Sequence, residues 1–236
     1  VVDSSKNFIT FYRRLMTLRL IHVFIFPVIC DQSSYMKLIL LLLLLHLGVA
    51  QDCDVTQLNV CYSDYLLNFG YSEFPNYGTF LNKTVDFLHL NGWRGQDDIC
   101  RWQNKLIGCL QKNSNCINTD NFMKYLNLTE YNARGYQTDY YVKEYECNTG
   151  YYVLHNTFYC FLKVWTQERS LINDCQNIMD PNSTYINCAD ASLSVDCTTD
   201  LFSTICGTYI RHFICTIEEI EIRANTHACD LLLPHC

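Results

Sequence analysis

The sequence is poor in proline and in positive charge. Only 4 prolines occur in 236 residues, which leaves long stretches of chain free to form helices. Lys and Arg number 17 against 24 Asp and Glu, and the surplus of acidic residues widens to a net −10 over residues 51–236. An acidic chain without a basic cluster is repelled by nucleic acids, sulfated glycans and anionic membranes. We therefore expect no nucleic-acid partner.

Sequence signatures of catalysis are also missing. The chain has no G-x-S-x-G, Walker A, H-E-x-x-H or dinucleotide-binding motif. Two acidic pairs, Asp97-Asp98 and Glu218-Glu219, contain the residue type used in acid–base catalysis, but neighbouring residues on a helix do not face one another. We interpret them as helix-starting or solvated groups, and His155 as a boundary residue beside an apolar stripe. The sequence thus predicts no catalytic residue and no enzymatic activity.

The one long apolar run has the anatomy of a secretory signal peptide. A charged start at Met36-Lys37 precedes the aliphatic residues 38–45, and small side chains follow up to Ala50. The run is too short for a bilayer span, which needs roughly 20 residues. We predict a signal peptide over residues 36–50 with cleavage after Ala50, a secreted and extracellular protein, and no membrane span after removal of the leader. A signal anchor is the alternative.

Residues 1–35 fit poorly in front of such a leader. The chain begins with Val1 and carries a second apolar run from Leu20 to Cys30. We expect this upstream segment to be missing from the mature protein, or to reflect an alternative start at Met16. Its removal leaves 14 of the 15 cysteines, an even number that can pair completely.

The remaining cysteines are dense enough to mark a disulfide scaffold. They make up about 7.5% of residues 51–236, a level found in oxidising compartments and rare in the cytosol. We predict that all of them form disulfides, in a connectivity that the sequence leaves open. They are Cys53, Cys61, Cys100, Cys109, Cys116, Cys147, Cys160, Cys175, Cys188, Cys197, Cys206, Cys215, Cys229 and Cys236.

Two other roles for these cysteines, as a nucleophile or as zinc ligands, fit the sequence less well than disulfide formation. A cysteine nucleophile needs an unpaired thiolate near a histidine, which a fully bridged chain does not offer. His227, Cys229, His235 and Cys236 match zinc ligands in residue type, but their spacings follow no zinc-finger pattern. We therefore predict no metal site and no cofactor.

Three N-glycosylation sequons follow the leader, at Asn82, Asn127 and Asn182. In a secreted chain this motif marks solvent-facing positions that accept a glycan. We predict a glycoprotein.

Apolar residues recur at helical intervals, and strand-like alternation is not sustained. The sequence therefore predicts an all-α, disulfide-stapled helical domain over residues 51–236. The main apolar stripes run from Leu58 to Phe69 before Gly70, from Ile99 to Leu110 behind Asp97-Asp98, from Leu154 to Trp165 with a continuation to Cys175, and from Phe202 to Ile220 with Thr198 as N-cap. Shorter helices are predicted at Tyr77 to Leu90, Thr119 to Leu126 and Tyr140 to Cys147.

Four cysteines, Cys188, Cys197, Cys206 and Cys215, are spaced nine residues apart. Nine residues make two and a half helical turns, so neighbours on one helix would face opposite sides. We expect a loop from Cys188 to Cys197, followed by one helix that carries Cys206 and Cys215 towards different partners.

The order of the cysteines resembles a nematode family of secreted cysteine-rich domains of unknown function, which includes chondroitin-proteoglycan-like members. The segment Glu146-Cys147-Asn148-Thr149-Gly150-Tyr151, followed by Cys160 and Cys175, resembles the middle of that family. Cys53, Cys61, Cys100, Cys109 and Cys116 are similar to its opening, and Cys188, Cys197, Cys206-Gly207 and Cys215 to its C-terminal half. The resemblance implies a single extracellular disulfide-bonded domain. Cys229 and Cys236 lie outside the family pattern, and we expect them to be an extra pair local to this chain. The chain has no Ser-Gly dipeptide, so chondroitin attachment is not implied.

These observations favour a secreted, non-enzymatic glycoprotein that acts by binding an extracellular protein. An alternative is a carrier of a small apolar ligand, because stapled helices with an aromatic-rich interior can enclose a cavity. A secreted hydrolase is a third hypothesis. A deep polar cleft holding carboxylates or His155 would favour the hydrolase, and a cavity would favour the carrier.

Overall fold

The computed structural model describes residues 53–179, 186–226, 228–234 and Cys236, and within these residues the protein is all-α, as predicted. Eight α-helices and two short 3-10 helices account for the regular structure of this part of the chain, which contains no strand. The α-helices are α1 (Val55–Leu67), α2 (Tyr77–Leu110), α3 (Thr119–Leu126), α4 (Glu130–Cys147), α5 (Tyr151–Gln167), α6 (Arg169–Gln176), α7 (Cys188–Cys206) and α8 (Arg211–Asn225).

Short polar side chains begin many of these helices and special backbone conformations end or bend several. Asp54 accepts a hydrogen bond from the Gln57 amide at 3.1 Å at the start of α1, which satisfies one of the unpaired amides of the first turn. Asn127, with φ 53°, ends α3 in the left-handed region. Gly92, with φ 57°, kinks α2, because glycine adopts this conformation without steric cost.

The N-terminal half, residues 53–147, encloses one continuous core rich in aromatic rings. Tyr62, Phe80, Phe122 and Tyr136 are almost completely buried there. The ring of Tyr62 meets that of Phe122 edge to face, with centroids 5.4 Å apart, an arrangement that adds to the stabilisation from area burial.

The C-terminal half, residues 151–236, has two smaller cores. The first gathers side chains of α5, α6, α7 and α8 around Phe158, Phe202 and Phe213. The second contains only five buried residues and joins α7 and α8 to the end of the chain: Ala191, Val195, Ile222, Cys229 and Leu233.

All 14 predicted cysteines are paired in seven disulfides, and each bridge stays within one half. The N-terminal half holds Cys53–Cys116, Cys61–Cys109 and Cys100–Cys147. The C-terminal half holds Cys160–Cys206, Cys175–Cys197, Cys188–Cys229 and Cys215–Cys236. The halves are therefore joined to each other by the chain and by non-covalent contacts, and by no cross-link among these cysteines.

The most C-terminal helices differ from the prediction. Cys188 and Cys197 lie in α7 and not in a loop, and Thr198 is a fully buried residue inside that helix, so its prediction as N-cap was wrong. Gly207, with φ 89°, ends α7, so Cys206 and Cys215 lie on two different helices. The prediction that these two reach different partners is confirmed.

Cys229 and Cys236 also differ from the expectation of a local pair, because Cys229 bonds to Cys188 and Cys236 to Cys215. The predicted leader, the segment 1–35 and the sequon at Asn182 lie outside the described residues. In the described part of the chain, no helix combines the length and apolar character that crossing a bilayer requires.

Candidate functional site

A cavity of about 380 Å³ lies between the two halves. Helices α2 and α4 of the N-terminal half form one side, and α5 to α8 of the C-terminal half form the other. Much of its wall is apolar and comes from both halves: Leu88, Val142, Phe161, Trp165, Phe202 and Ile217. This volume falls in the range of about 300–1,000 Å³ that is usual for small-molecule sites.

Helix α4 brings three charged side chains to the cavity wall. Asp139, Lys143 and Glu146 are spaced by four and three residues, which places them on one face of the helix. Each is more than nine-tenths buried. The Lys143 ammonium lies 3.2 Å from an Asp139 carboxylate oxygen, so one of the two buried carboxylates has a direct partner.

Burial opposes the charge on Lys143, but Asp139 and Glu146 together outweigh that effect and raise its pKa. The ammonium is therefore charged at neutral pH. Burial also raises the pKa of Asp139, although Lys143 acts in the opposite direction. This ion pair is a fixed polar feature in an otherwise largely apolar wall.

Helix α8 adds two more carboxylates from the opposite side. Glu218 is 5% exposed, Glu221 is partly buried, and both line the cavity. Their spacing of three residues places them next to each other on the helix surface. Helix α8 packs along α4, where the Asn225 side-chain amide donates to the Thr138 hydroxyl at 3.2 Å and the Gln137 side-chain amide donates to the Ala224 carbonyl.

The carboxyl groups of the cavity hold protons up to unusually high pH. Burial raises the pKa of Glu146 to about 7, with Lys143 lowering it and Asp139 raising it further. Burial and then the nearby Glu146 raise the pKa of Glu221 to about 7. Burial, followed by repulsion from Glu221, raises the pKa of Glu218 well above its usual range. A positive charge entering the cavity would favour the ionised form of all three groups.

The carboxylates are not arranged as a metal centre. Among the described residues, no group of three or more His, Cys, Asp or Glu side chains is close enough to hold a metal ion. The cavity therefore places separated carboxyl groups beside apolar surface.

Among the acidic pairs and the histidine considered in the sequence, the structure places Glu218 in the cavity wall and the others outside it. Asp97 accepts a hydrogen bond from the Tyr151 hydroxyl at 2.7 Å, and Asp98 pairs with Arg101 at 2.7 Å on the surface. His155 is exposed and packs against Trp93, with ring centroids 4.3 Å apart, outside the cavity wall.

For the pair Glu218-Glu219, the expected solvated or helix-starting role was wrong. Both side chains are 5% exposed. Glu218 lines the cavity, whereas Glu219 lies 3.4 Å from Arg223. Glu218 and Glu219 thus have different surroundings, as expected for adjacent residues on a helix, and the other α8 carboxyl group of the cavity wall belongs to Glu221.

The remaining predicted sites are glycan acceptors, disulfide-bonded cysteines and two histidines. Asn82 and Asn127 are exposed, as a glycan acceptor must be. Cys229 and Cys236 are disulfide-bonded and hence not thiolate ligands, and their neighbours His227 and His235 lie outside the described residues.

Sequence reasoning missed the charged residues of α4. Asp139, Lys143 and Glu146 lie on the same stripe as the buried Tyr136 and Tyr140. Charges spaced at three and four residues from buried aromatic residues were the available signal, because they place ionisable groups on a buried face.

Comparison with known proteins finds no protein family, no curated protein and no solved structure that matches this chain. The structure thus describes a cysteine-rich, all-helical domain closed by seven disulfides, a character consistent with an extracellular protein.

Proposed function

We propose that the protein is a secreted, non-enzymatic carrier that encloses a small amphipathic molecule between its two halves. The observation behind this proposal is the cavity of about 380 Å³ with apolar walls and a few convergent polar groups, the usual composition of a small-molecule site. It favours the carrier over the surface-binding module that the sequence alone made the first hypothesis.

The distribution of the disulfides supports a carrier role. Cross-links hold the helices of each half together, and none joins the two sides of the cavity. Packed helices that lack a covalent tie can separate by small hinge or shear movements. The interface between the halves is therefore the proposed route of ligand entry, while each half stays rigid.

The carrier is tested with a neutral apolar dye, N-phenyl-1-naphthylamine, whose fluorescence rises on transfer to an apolar site. We expect saturable binding to the wild type and loss of binding in Val142→Trp, because the larger side chain fills the cavity. Val60→Trp makes the same change at an exposed position of α1 and should bind like the wild type. Equal binding by both variants would contradict the proposal, provided that circular dichroism shows both to be folded.

A secreted hydrolase is the second candidate, favoured by one observation. Glu146 and Glu221 have a raised pKa of about 7, which suits a general acid at neutral pH. Hydrolysis of glycoside or ester substrates that is abolished in both Glu146→Gln and Glu221→Gln would favour this candidate. Dye binding without any such activity favours the carrier.

Secretion, glycosylation and family membership belong to the same proposal. The predicted signal peptide, the seven disulfides and the exposed Asn82 and Asn127 support an exported glycoprotein. The order of the cysteines supports kinship with the nematode family of secreted cysteine-rich domains. Expression in a secretory host tests the first part: the protein should appear in the medium and lose mass on treatment with an N-glycosidase.

A further inference from the structure

We propose that the cavity selects a ligand with a positively charged ammonium group on an apolar body. This inference rests on the proposed carrier function and adds the chemical class of the ligand. The apolar wall would receive the body of the ligand, and the carboxylates of α4 and α8 would receive the ammonium group.

The wall of the cavity has more buried carboxyl groups than buried cations. Asp139, Glu146 and Glu218 are buried carboxylates and Glu221 is a partly buried one, whereas Lys143 is the one buried cation of the wall. The ion pair at 3.2 Å uses Asp139 and Lys143. Three carboxyl groups are left lining the cavity, and the ionised form of a buried carboxyl group is costly unless it is paired with a cation.

Two of these carboxyl groups have no direct partner among the described residues. Glu146 is 8% exposed and Glu218 is 5% exposed, and neither side chain makes a hydrogen bond or an ion pair within the described residues. Both line the cavity, so a group that enters the cavity can contact them. An ammonium group, which carries three hydrogen-bond donors, would satisfy carboxylates from both helices at once.

The other charged or titratable groups of the wall do not change the expected preference for an ammonium ligand. Tyr77 of α2 has a strongly raised pKa from burial and stays neutral, and Tyr131 of α4 is 65% exposed. Arg134 of α4 is half exposed and pairs with Glu130 at 2.6 Å, and Arg169 of α6 is exposed. Helices α5 and α7 contribute no titratable group to the wall.

The pH dependence follows from the same groups. An alkylammonium resembles a lysine side chain, with a pKa of about 10.4, and stays charged throughout the neutral range. Glu146 and Glu221 lose their protons around pH 7. Affinity for an ammonium ligand should therefore rise as pH increases from about 5.5 to about 8, because the ionised carboxylates bind the cation better.

Three probes of equal chain length separate charge from size: octylammonium, 1-octanol and octanoate. Each is titrated against the wild-type protein loaded with N-phenyl-1-naphthylamine. We expect octylammonium to displace the dye at concentrations about tenfold lower than octanol, the gain typical of hydrogen bonds to a charged group. Octanoate should be the weakest competitor.

Glu218→Gln and Glu221→Gln keep the shape of each side chain and remove its charge. We expect each variant to bind octylammonium about tenfold more weakly and octanol within about twofold of the wild type. Glu73→Gln, an exposed control outside the cavity, should leave both affinities unchanged.

The outcomes separate the two proposals. Failure of the dye and of all three probes to bind would overturn the carrier function itself. Equal displacement by octanol and octylammonium, or stronger displacement by octanoate, would overturn the ammonium preference and leave the carrier standing. Should a variant fail to fold, the wild type alone decides: an octylammonium affinity that does not rise with pH contradicts the inference.

Discussion

The two halves of the molecule combine packing and disulfides in different proportions. The N-terminal half has one core of 16 buried residues and three bridges. The C-terminal half has two cores of 10 and 5 buried residues and four bridges. Small cores gain most from covalent restraint of the unfolded chain. The cavity lies where the two halves meet through non-covalent packing alone, such as the contact of Tyr145 with Phe213 at 5.6 Å between ring centroids, and no bridge crosses this boundary.

Removal of one disulfide from each half should show how much of the stability of that half comes from disulfides and how much from core packing. We expect Cys188→Ala with Cys229→Ala and Cys53→Ala with Cys116→Ala each to lower the free energy of unfolding by about 4 kcal/mol, since their loops are of similar length. Hydrogen exchange should show local opening after residue 225 in the first variant, because a small core of five buried residues and the Cys215–Cys236 bridge then hold that segment. Unchanged protection there would show that the small core suffices without its bridge.

A pH titration of the ligand-free protein tests the boundary between the halves. Folding raises the pKa of Glu146 and Glu221 from 4.5 to about 7, so the folded state binds more protons than the unfolded state between these values. The stabilising contribution of these two groups should therefore be complete below about pH 4.5 and fall by up to about 3 kcal/mol for each group by about pH 8. Urea unfolding across this range measures the slope.

Glu146→Gln should flatten the slope of that titration, whereas the exposed Glu73→Gln should leave it as in the wild type. A wild-type stability that rises between about pH 5 and pH 8 would contradict the placement of ionisable groups inside this boundary.

One glycine substitution in each half should change the free energy of unfolding by a smaller amount. Gly207 has φ 89° between α7 and α8, while Gly108 lies in α2 with open space around it. We expect Gly207→Ala to lower the free energy of unfolding by about 1–3 kcal/mol, because its extended conformation with positive φ is essentially restricted to glycine, and Gly108→Ala to raise it by about 0.5–1 kcal/mol. Thermal unfolding monitored by circular dichroism should show melting temperatures that shift in opposite directions.

The helices could be predicted from the sequence because their apolar spacing is local information. Helix α3 has the predicted bounds, Thr119–Leu126, and Gly70 follows α1 as expected, with φ 84°. The stripe from Phe202 to Ile220 was misjudged because Ile205 and Tyr209 continue the spacing although both are exposed. The backbone at Gly207, which the spacing does not reveal, divides that stripe into two helices.

The cavity could not be predicted in the same way. Its wall joins residues far apart in the chain, such as Glu146 and Glu221, and its volume depends on how two packed halves meet. Disulfide connectivity was likewise open, because parity fixes the number of bridges and not their partners. What the sequence did contain was the unusual position of Asp139, Lys143 and Glu146 on a tyrosine-rich buried stripe.

Hydrogen exchange with and without bound N-phenyl-1-naphthylamine tests whether the cavity between the halves holds the ligand, because it locates the ligand in the protein. We expect slower exchange of backbone amides in the cavity-lining parts of both halves, residues 138–146 of α4 and 214–221 of α8. Slowing confined to the exposed face around Tyr152 and Tyr159, or no slowing at all, would contradict it.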